Sequence, residues 1–156
     1  MLSEAKIKKL KTLSKLIVEG NEKHNLTSYK HGDKFFFEQI DDCVQAYNIC
    51  AKSVKENLID YGSGSGIPGL VWAILNEKIK VLSIDSSQKK IEFQKTLIRK
   101  LELQNASCKH TRLEEHNFSN EHTAVFKAFS TLKTAIQKSK PNKKRANLLF
   151  LKKTTE

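Results

Sequence analysis

Residues 58–69 read LIDYGSGSGIPG, the most informative run in this chain of 156 residues. A short apolar stretch that suits a buried strand passes into three glycines at alternate positions, and Pro68 suits the first turn of a helix. Glycine adopts positive φ and lets a ligand touch the main chain, because no Cβ stands in the way. The pattern therefore predicts a strand, a ligand-binding loop and a helix that begins near Pro68.

A second acidic residue extends this pattern. Asp85 ends the next apolar run, 80–84, and follows Asp60 by 25 residues. In a strand–helix–strand unit the carboxyl ends of the two parallel strands are neighbours, and an acid there can accept hydrogen bonds from both hydroxyls of a ribose. The loop and Asp85 together predict a nucleoside-containing ligand.

The spacing of the glycines leaves two nucleoside cofactors open. Gly64-x-Gly66-x-x-Gly69 matches the dinucleotide fingerprint, which would make the chain an NAD-dependent oxidoreductase. A Walker phosphate loop is excluded, because the residues after Gly69 are apolar where Lys and then Ser or Thr are required. Asp60, two residues before Gly62, suits a cofactor with an ammonium group and no phosphates, such as S-adenosylmethionine. We favour the second cofactor, since no residue cluster for hydride chemistry supports the first.

Length and composition indicate one domain with a core of its own. The chain has no apolar run near 18 residues, and its start lacks the apolar centre of a signal peptide. We therefore expect a soluble, cytoplasmic protein without a membrane segment. The three cysteines and five histidines have no metal-binding spacing, so neither a metal ion nor a disulfide is expected.

The charge of the chain, net +11, is unevenly spread. Residues 35–87, which contain the glycine loop, carry 7 acidic and 4 basic side chains, whereas residues 119–156 carry 2 acidic and 9 basic ones. Residues 1–34 and 88–118 are also net basic. Lysine clusters of this kind are typical of surfaces that bind a phosphate backbone, so the charge predicts a nucleic acid as partner.

Hydrophobic periodicity divides the chain into alternating helices and strands. An apolar stripe predicts a first helix that ends at Gly20; its members are Ile7, Leu10, Leu13, Ser14 and Ile17. Further helices are predicted over 33–52 with Asp33 as its cap, over 67–76, and from Ser86 or Ser87 to about Leu103. Strands are predicted over 58–61, 80–85, 106–110, 124–126 and 148–151, and residues 138–145 form a mobile low-complexity segment. The alternation predicts an α/β fold, a parallel sheet with helices on both faces.

These residues resemble a known family, the bacterial small-subunit (16S) rRNA guanine-N7 methyltransferases called RsmG or glucose-inhibited division protein B. The likeness runs from about Asn21 to Leu151 and is most specific in the glycine loop, with Asn25-Leu26-Thr27 upstream. Weaker marks are Asp85-Ser86 followed by Lys89, Leu113-Glu114-Glu115, and Ala128-Phe129-x-x-Leu132. The resemblance implies a Rossmann-like class I methyltransferase sheet, S-adenosylmethionine as cofactor, and ribosomal RNA or the small ribosomal subunit as partner.

The resemblance also implies site residues. It assigns the cofactor to the backbone of Gly62 and Ile67, to Leu113 and Glu114, and to Lys127, with Asp85 on the ribose. To these we add the loop residues Asp60, Gly64 and Gly66 as cofactor contacts, and Asn25, Lys127 and Lys133 as RNA contacts. No catalytic acid or base is expected, because guanine N7 offers a free lone pair and has no proton to lose.

Residues 1–57 are expected to form an N-terminal helical extension, and residues 58–156 the cofactor-binding core of the same domain, in a protein that acts as a monomer. Gln39 and Cys43 stand where the family usually has His and Ser, and Lys127 stands where it has Arg, whose forked donor pair lysine lacks. The last two strands of the usual seven are expected to be missing, because the fifth predicted strand lies close to Glu156. These departures leave open a catalytically silent RNA-binding or ribosome-assembly factor with the same fold.

Overall fold

The computed structural model describes residues 1–25, 27–128, 131–139 and 146–151. Six α-helices lie in these residues: α1 Glu4–His24, α2 Gly32–Phe35, α3 Asp41–Cys50, α4 Gly69–Leu75, α5 Gln88–Lys100 and α6 Leu132–Lys138. A π-helical turn, Phe36–Ile40, joins α2 to α3, and single 3₁₀ turns lie at Ala51–Ser53 and Leu113–Glu115. The strands are β1 Asn57–Tyr61, β2 Lys80–Asp85, β3 Ala106–His110, β4 His122–Lys127 and β5 Ala146–Leu151.

The described strands form one parallel sheet in the order β3-β2-β1-β4-β5. The predicted α/β fold is confirmed, and all five predicted strands are found. The chain leaves β1 toward β2 on one side and later returns to β4 on the other, so the order reverses at β1. In open parallel sheets a ligand crevice forms outside the carboxyl ends of the strands at such a reversal. The glycine loop follows β1 at this point.

Two apolar clusters cover the two faces of the sheet. The larger one joins residues of α1, α3, α4 and α5 to Leu58 of β1, and the smaller one contains Ile59 and Tyr61 with residues of β4 and α6. Side chains alternate between faces along a strand, which puts Asp60 on the same face as Leu58. The Asp60 carboxyl group, one residue before the end of β1, therefore lies beneath the helices of the larger cluster.

The first helix does not end at Gly20, as the sequence predicted, but continues to His24. A Cβ at Gly20 would lie 2.3 Å from Cε2 of Phe93, a residue of α5. The glycine is therefore a point of close contact between α1 and α5 and not a helix stop. The buried stripe is otherwise as predicted, with Leu10, Leu13, Ser14 and Ile17 buried and Ile7 exposed.

Other predicted boundaries need correction. The helix predicted over 33–52 is broken by the π-helical turn, and it begins at Gly32 after His31, so Asp33 lies in its first turn and is not its cap. Helix α6 was not predicted; the Thr131 side chain caps it by accepting a hydrogen bond from the Thr134 amide. Of the low-complexity segment, Lys138 ends α6 and residues 140–145 lie outside the described ranges. Within the part of the chain that is described, no helix is both long and apolar enough to cross a membrane.

Candidate cofactor-binding site

The glycine loop leaves β1 with three residues in the left-handed region of backbone space. The φ angles are +67° at Gly62, +57° at Gly64 and +101° at Gly66, which L-residues with a Cβ rarely adopt. At Gly64 a Cβ would find its nearest heavy atom 3.9 Å away, whereas at Gly66 it would lie 2.7 Å from Cδ1 of Leu70. Gly64 thus leaves room outside the loop, and Gly66 is required for the loop to pack onto α4.

Asp85, at the end of β2, holds the loop from the side. Its Oδ2 accepts a hydrogen bond of 2.8 Å from the Gly64 amide, and its Oδ1 accepts one of 2.8 Å from the Ser87 amide. The Ser87 side chain in turn caps α5, as predicted, by accepting from the Lys90 amide. Each carboxylate oxygen has a second acceptor position, so both retain capacity for a ligand hydroxyl.

Asp60 holds the loop from below, and it is almost completely buried. Its Oδ2 accepts a hydrogen bond of 2.7 Å from the Gly69 amide at the start of α4, and a Cβ at Gly69 would lie 2.8 Å from the same oxygen. The other oxygen, Oδ1, is buried and has no hydrogen-bond partner among the described residues. The same holds for Oγ of Ser83, which is the register partner of Asp60 on β2. Burial raises the pKa of Asp60 to about 7, against the opposing effects of the Gly69 amide and the Lys127 ammonium; the Asp85 carboxylate also raises it.

Gln94 is a buried residue of α5 that the sequence analysis missed. Its Nε2 donates to Oγ of Ser63 and to the Gly64 carbonyl, both at 2.8 Å. The side chain therefore clamps the loop from the helix that follows β2. The signal was present, because Gln94 lies three residues from both Ile91 and Leu97 on the buried face of α5.

Four of the predicted cofactor residues line one cleft of about 160 Å³: Gly62, Asp85, Leu113 and Glu114. Arg112 and Lys138 also border it, and Lys138 Nζ lies 3.5 Å from Glu114 Oε1. A hydrogen bond from its own backbone amide lowers the pKa of Glu114, and Lys138 and Arg112 act in the same direction. Charged groups of both signs therefore border the cleft.

The remaining predicted site residues lie elsewhere. Gly66 is buried, and Ile67 packs against the larger apolar cluster. Asn25 ends α1 in the left-handed conformation, with φ +53°, and is exposed; Lys133 is exposed on α6. No group of three or more His, Cys, Asp or Glu side chains that could hold a metal ion occurs within the described ranges.

Lys127 ends β4 and is half-buried, and its Nζ donates a hydrogen bond of 2.7 Å to Oε1 of Gln39. Two of the positions at which the chain departs from the family pattern are therefore in direct contact. The third, Cys43, is buried nearby: desolvation raises its thiol pKa to about 12, although the Lys127 charge acts in the opposite direction. Sequence periodicity could not predict this grouping, because the Gln39–Lys127 contact joins residues 88 apart.

Two solved structures share this architecture. One, StiE O-MT residues 961–1257, matches with a TM-score of 0.63 and 15% identity, over 83% of this chain and 50% of that one. The other, coclaurine N-methyltransferase bound to N-methylheliamine and SAH, matches with a TM-score of 0.52 and 18% identity, over 74% and 34%. With the strand order and the glycine loop, these likenesses define the fold as that of a Rossmann-like class I methyltransferase.

Sequence comparison identifies the family. A family model described as "GidB: rRNA small subunit methyltransferase G" matches residues 6–156, and the chain belongs to this family. A protein of Clostridium botulinum (strain ATCC 19397 / Type A), named ribosomal RNA small subunit methyltransferase G, is 34% identical over 120 residues, which cover 77% of this chain and 50% of that protein. The resemblance inferred from the sequence is thus confirmed. The chain spans about half the length of the curated relatives it matches.

Proposed function

We propose that this chain binds S-adenosylmethionine at the glycine loop and directs methyl transfer to guanine N7 of small-subunit ribosomal RNA. The observation that carries the proposal is the pair of carboxyl groups near the ends of β1 and β2, those of Asp60 and Asp85, which accept hydrogen bonds from the amides of Gly69 and Gly64. A loop whose amides are held by these side chains is ordered before a ligand binds, which reduces the entropy lost on binding.

The residues present fit a nucleoside cofactor. Asp85 lines the cleft with acceptor capacity left for ribose hydroxyls, and the open space outside Gly64 leaves the main chain approachable. The cleft of about 160 Å³ is smaller than most small-molecule sites, which enclose about 300–1,000 Å³. A bound cofactor would therefore extend from the cleft along the glycine loop. Family membership and the SAH bound to coclaurine N-methyltransferase, a protein of the same fold, support this choice of cofactor.

Methyl transfer to guanine N7 depends on orienting the base and excluding water more than on acid or base catalysis. The bound cofactor supplies an electrophilic methyl group on a sulfonium. Guanine N7 has an in-plane lone pair and no proton to remove, so this chain's residues need only hold the base in line and exclude water. Lys127, at the carboxyl end of β4, is the cation we assign to a phosphate of the RNA or to the cofactor carboxylate.

The proposed partner is ribosomal RNA or the small ribosomal subunit, whose phosphates the net charge of +11 on the chain would attract. Asn25 and Lys133, both exposed, are the RNA contacts we propose in addition to Lys127. Extension and core act as a single domain in this proposal, because α1 packs in the same apolar cluster as α4 and α5. Such a protein would work in the cytoplasm, as a monomer.

Isothermal titration with S-adenosylmethionine, its demethylated product and NAD, side by side, tests the cofactor assignment. We expect the first two to bind and NAD to give no heat of binding. Binding of NAD alone would contradict the proposal and favour the dinucleotide reading of Gly64-x-Gly66-x-x-Gly69. The variant Asp85→Ala serves as a control, because heat that it leaves unchanged does not come from this site.

A further inference from the structure

We propose that Gln39 is a positioning residue, which fixes the ammonium of Lys127 at the carboxyl end of β4 while leaving its positive charge unneutralised. The bond between them joins the π-helical turn of the N-terminal extension to the sheet of the core. The catalytic consequence of this contact rests on the proposed function, but the contact itself does not.

The group that accepts from Lys127 is a neutral carboxamide. An ammonium has three donors, and the bond to Gln39 Oε1, at 2.7 Å, uses one of them. A carboxylate in this place would also orient the lysine but would cancel its charge. A neutral carboxamide orients it and leaves the charge available to an anion, whether that anion is a phosphate of the RNA or the carboxylate of the cofactor.

The orientation of the carboxamide is fixed in turn by Tyr29. The Tyr29 hydroxyl donates to Glu38 Oε2 at 2.6 Å, and it accepts from Gln39 Nε2 at 3.1 Å. Because the hydroxyl proton is directed to Glu38, the hydroxyl oxygen faces the NH₂ group of Gln39, and the carbonyl oxygen of Gln39 faces Lys127. The bond to Glu38 and partial burial also raise the pKa of Tyr29, so the hydroxyl keeps its proton.

The segment that carries Gln39 is anchored on both sides. Phe35, before the turn, and Ile40, at its end, are buried in the larger apolar cluster, and the Phe35 ring packs edge-on against Tyr29 with 5.5 Å between centroids. At the other end of the contact, Lys127 follows Phe126, which is the register partner of Tyr61 at the end of β1, so Lys127 lies next to the start of the glycine loop. Its charge also lowers the pKa of the buried Asp60 carboxyl. Gln39 thus sits between a fixed segment and the proposed site.

Trace acetylation with acetic anhydride tests the contact without any need for activity. The rate at Lys127 is measured by mass spectrometry relative to Lys133, an exposed lysine of the same chain. We expect Gln39→Leu to raise the relative rate about threefold or more, because loss of a hydrogen bond to a charged group frees the amine. Gln45→Leu, the same change at an exposed glutamine that bonds Asp41, is the matched control and should leave the rate unchanged.

Two further variants separate positioning from charge. Tyr29→Phe should raise the acetylation rate less than Gln39→Leu, and it replaces that variant if Gln39→Leu fails to fold. Gln39→Glu should keep Lys127 protected yet lower methyl transfer to small ribosomal subunits about tenfold, because the charge is cancelled. In a Lys127→Met background, Gln39→Leu should lower transfer no further.

An unchanged acetylation rate at Lys127 in Gln39→Leu and Tyr29→Phe would overturn the inference. Losses of transfer that simply add in the Gln39→Leu, Lys127→Met double variant would also overturn it, since they would mean that Gln39 acts independently of Lys127. If the wild type transfers no methyl group while the acetylation rates change as expected, the positioning contact stands and the proposed function fails.

Discussion

Replacing Asp60 with asparagine is expected to change how the stability of the protein depends on pH. The carboxyl group is buried beneath the glycine loop, one of its oxygens bonds the Gly69 amide, and the other has no partner among the described residues. Burial raises its pKa to about 7, from an ordinary value of 3.8. Asparagine keeps an acceptor for the Gly69 amide but cannot ionise.

The sign of the effect follows from which state holds the proton. Between pH 4 and pH 7 the folded protein keeps the proton on Asp60, whereas the unfolded chain releases it. The free energy of unfolding of the wild type therefore falls as pH rises through this interval and levels off above about pH 8. The pKa of Asp60 differs by about three between the folded and the unfolded state, which corresponds to a loss of about 4 kcal/mol in the free energy of unfolding, an order-of-magnitude figure. Asp60→Asn should not show this loss.

Urea unfolding followed by circular dichroism at several pH values between 4 and 9 measures this difference. The free energy of unfolding of Asp60→Asn, relative to the wild type, should rise with pH up to about pH 8 and then stay constant. Asp42→Asn, at an exposed carboxyl of α3, is the matched control and should follow the wild type. Parallel curves for Asp60→Asn and the wild type would refute the reasoning, because they would mean that Asp60 is ionised over the whole interval.

Substitutions at Gly64, Asp85 and Gly20 test the loop and the packing of α1 against α5. Gly64→Val should weaken the binding of S-adenosylhomocysteine, the demethylated product, about tenfold or more while the circular dichroism spectrum stays native. The reason is that a branched residue at φ +57° is strained and its side chain points into the open space outside the loop. Unchanged affinity by titration would mean that the ligand binds elsewhere. Asp85→Ala should weaken cofactor binding by about 1.5–3 kcal/mol, and Asp85→Asn should weaken it by less. On the Ala variant, an analogue without ribose hydroxyls should bind almost as well as the cofactor itself. A full additional loss of affinity there would show that Asp85 does not contact the ribose. Gly20→Val should lower the free energy of unfolding by about 1–3 kcal/mol, because the new Cβ would clash with the Phe93 ring. Adding Phe93→Ala should recover part of this loss of stability. No recovery would contradict close packing between α1 and α5 at this point.

Most of the sheet was predictable from the sequence because β1, β2, β4 and β5 each contain a short apolar run followed by a polar or glycine residue, whereas β3 is mostly polar. β2 and β3 have the predicted bounds, and β1, β4 and β5 differ by at most two residues at an end. The helices were harder, because a glycine can end a helix or admit a neighbour, and only the neighbour decides. At Gly20 that neighbour is Phe93, 73 positions further along the chain, which no local pattern reveals.

In the candidate site, too, some residues could be predicted from the sequence and others could not. The strand-end acids and the glycine loop were predictable because their spacing follows from the geometry of a strand–helix–strand unit. Gln94 was missed although a polar residue on a buried helical face is a detectable signal. The contact between Gln39 and Lys127 could not be predicted, since it depends on how the extension packs against the sheet.

Transfer of labelled methyl from S-adenosylmethionine to small ribosomal subunits that lack the modification tests the proposed function most directly. We predict incorporation into the small-subunit RNA, with strand cleavage at the labelled guanine after borohydride and aniline treatment, which reports methylation at N7. The Asp85→Ala variant should incorporate far less label under the same conditions. No incorporation by a protein that binds both cofactor and RNA, or label on an atom other than N7, would contradict the proposal.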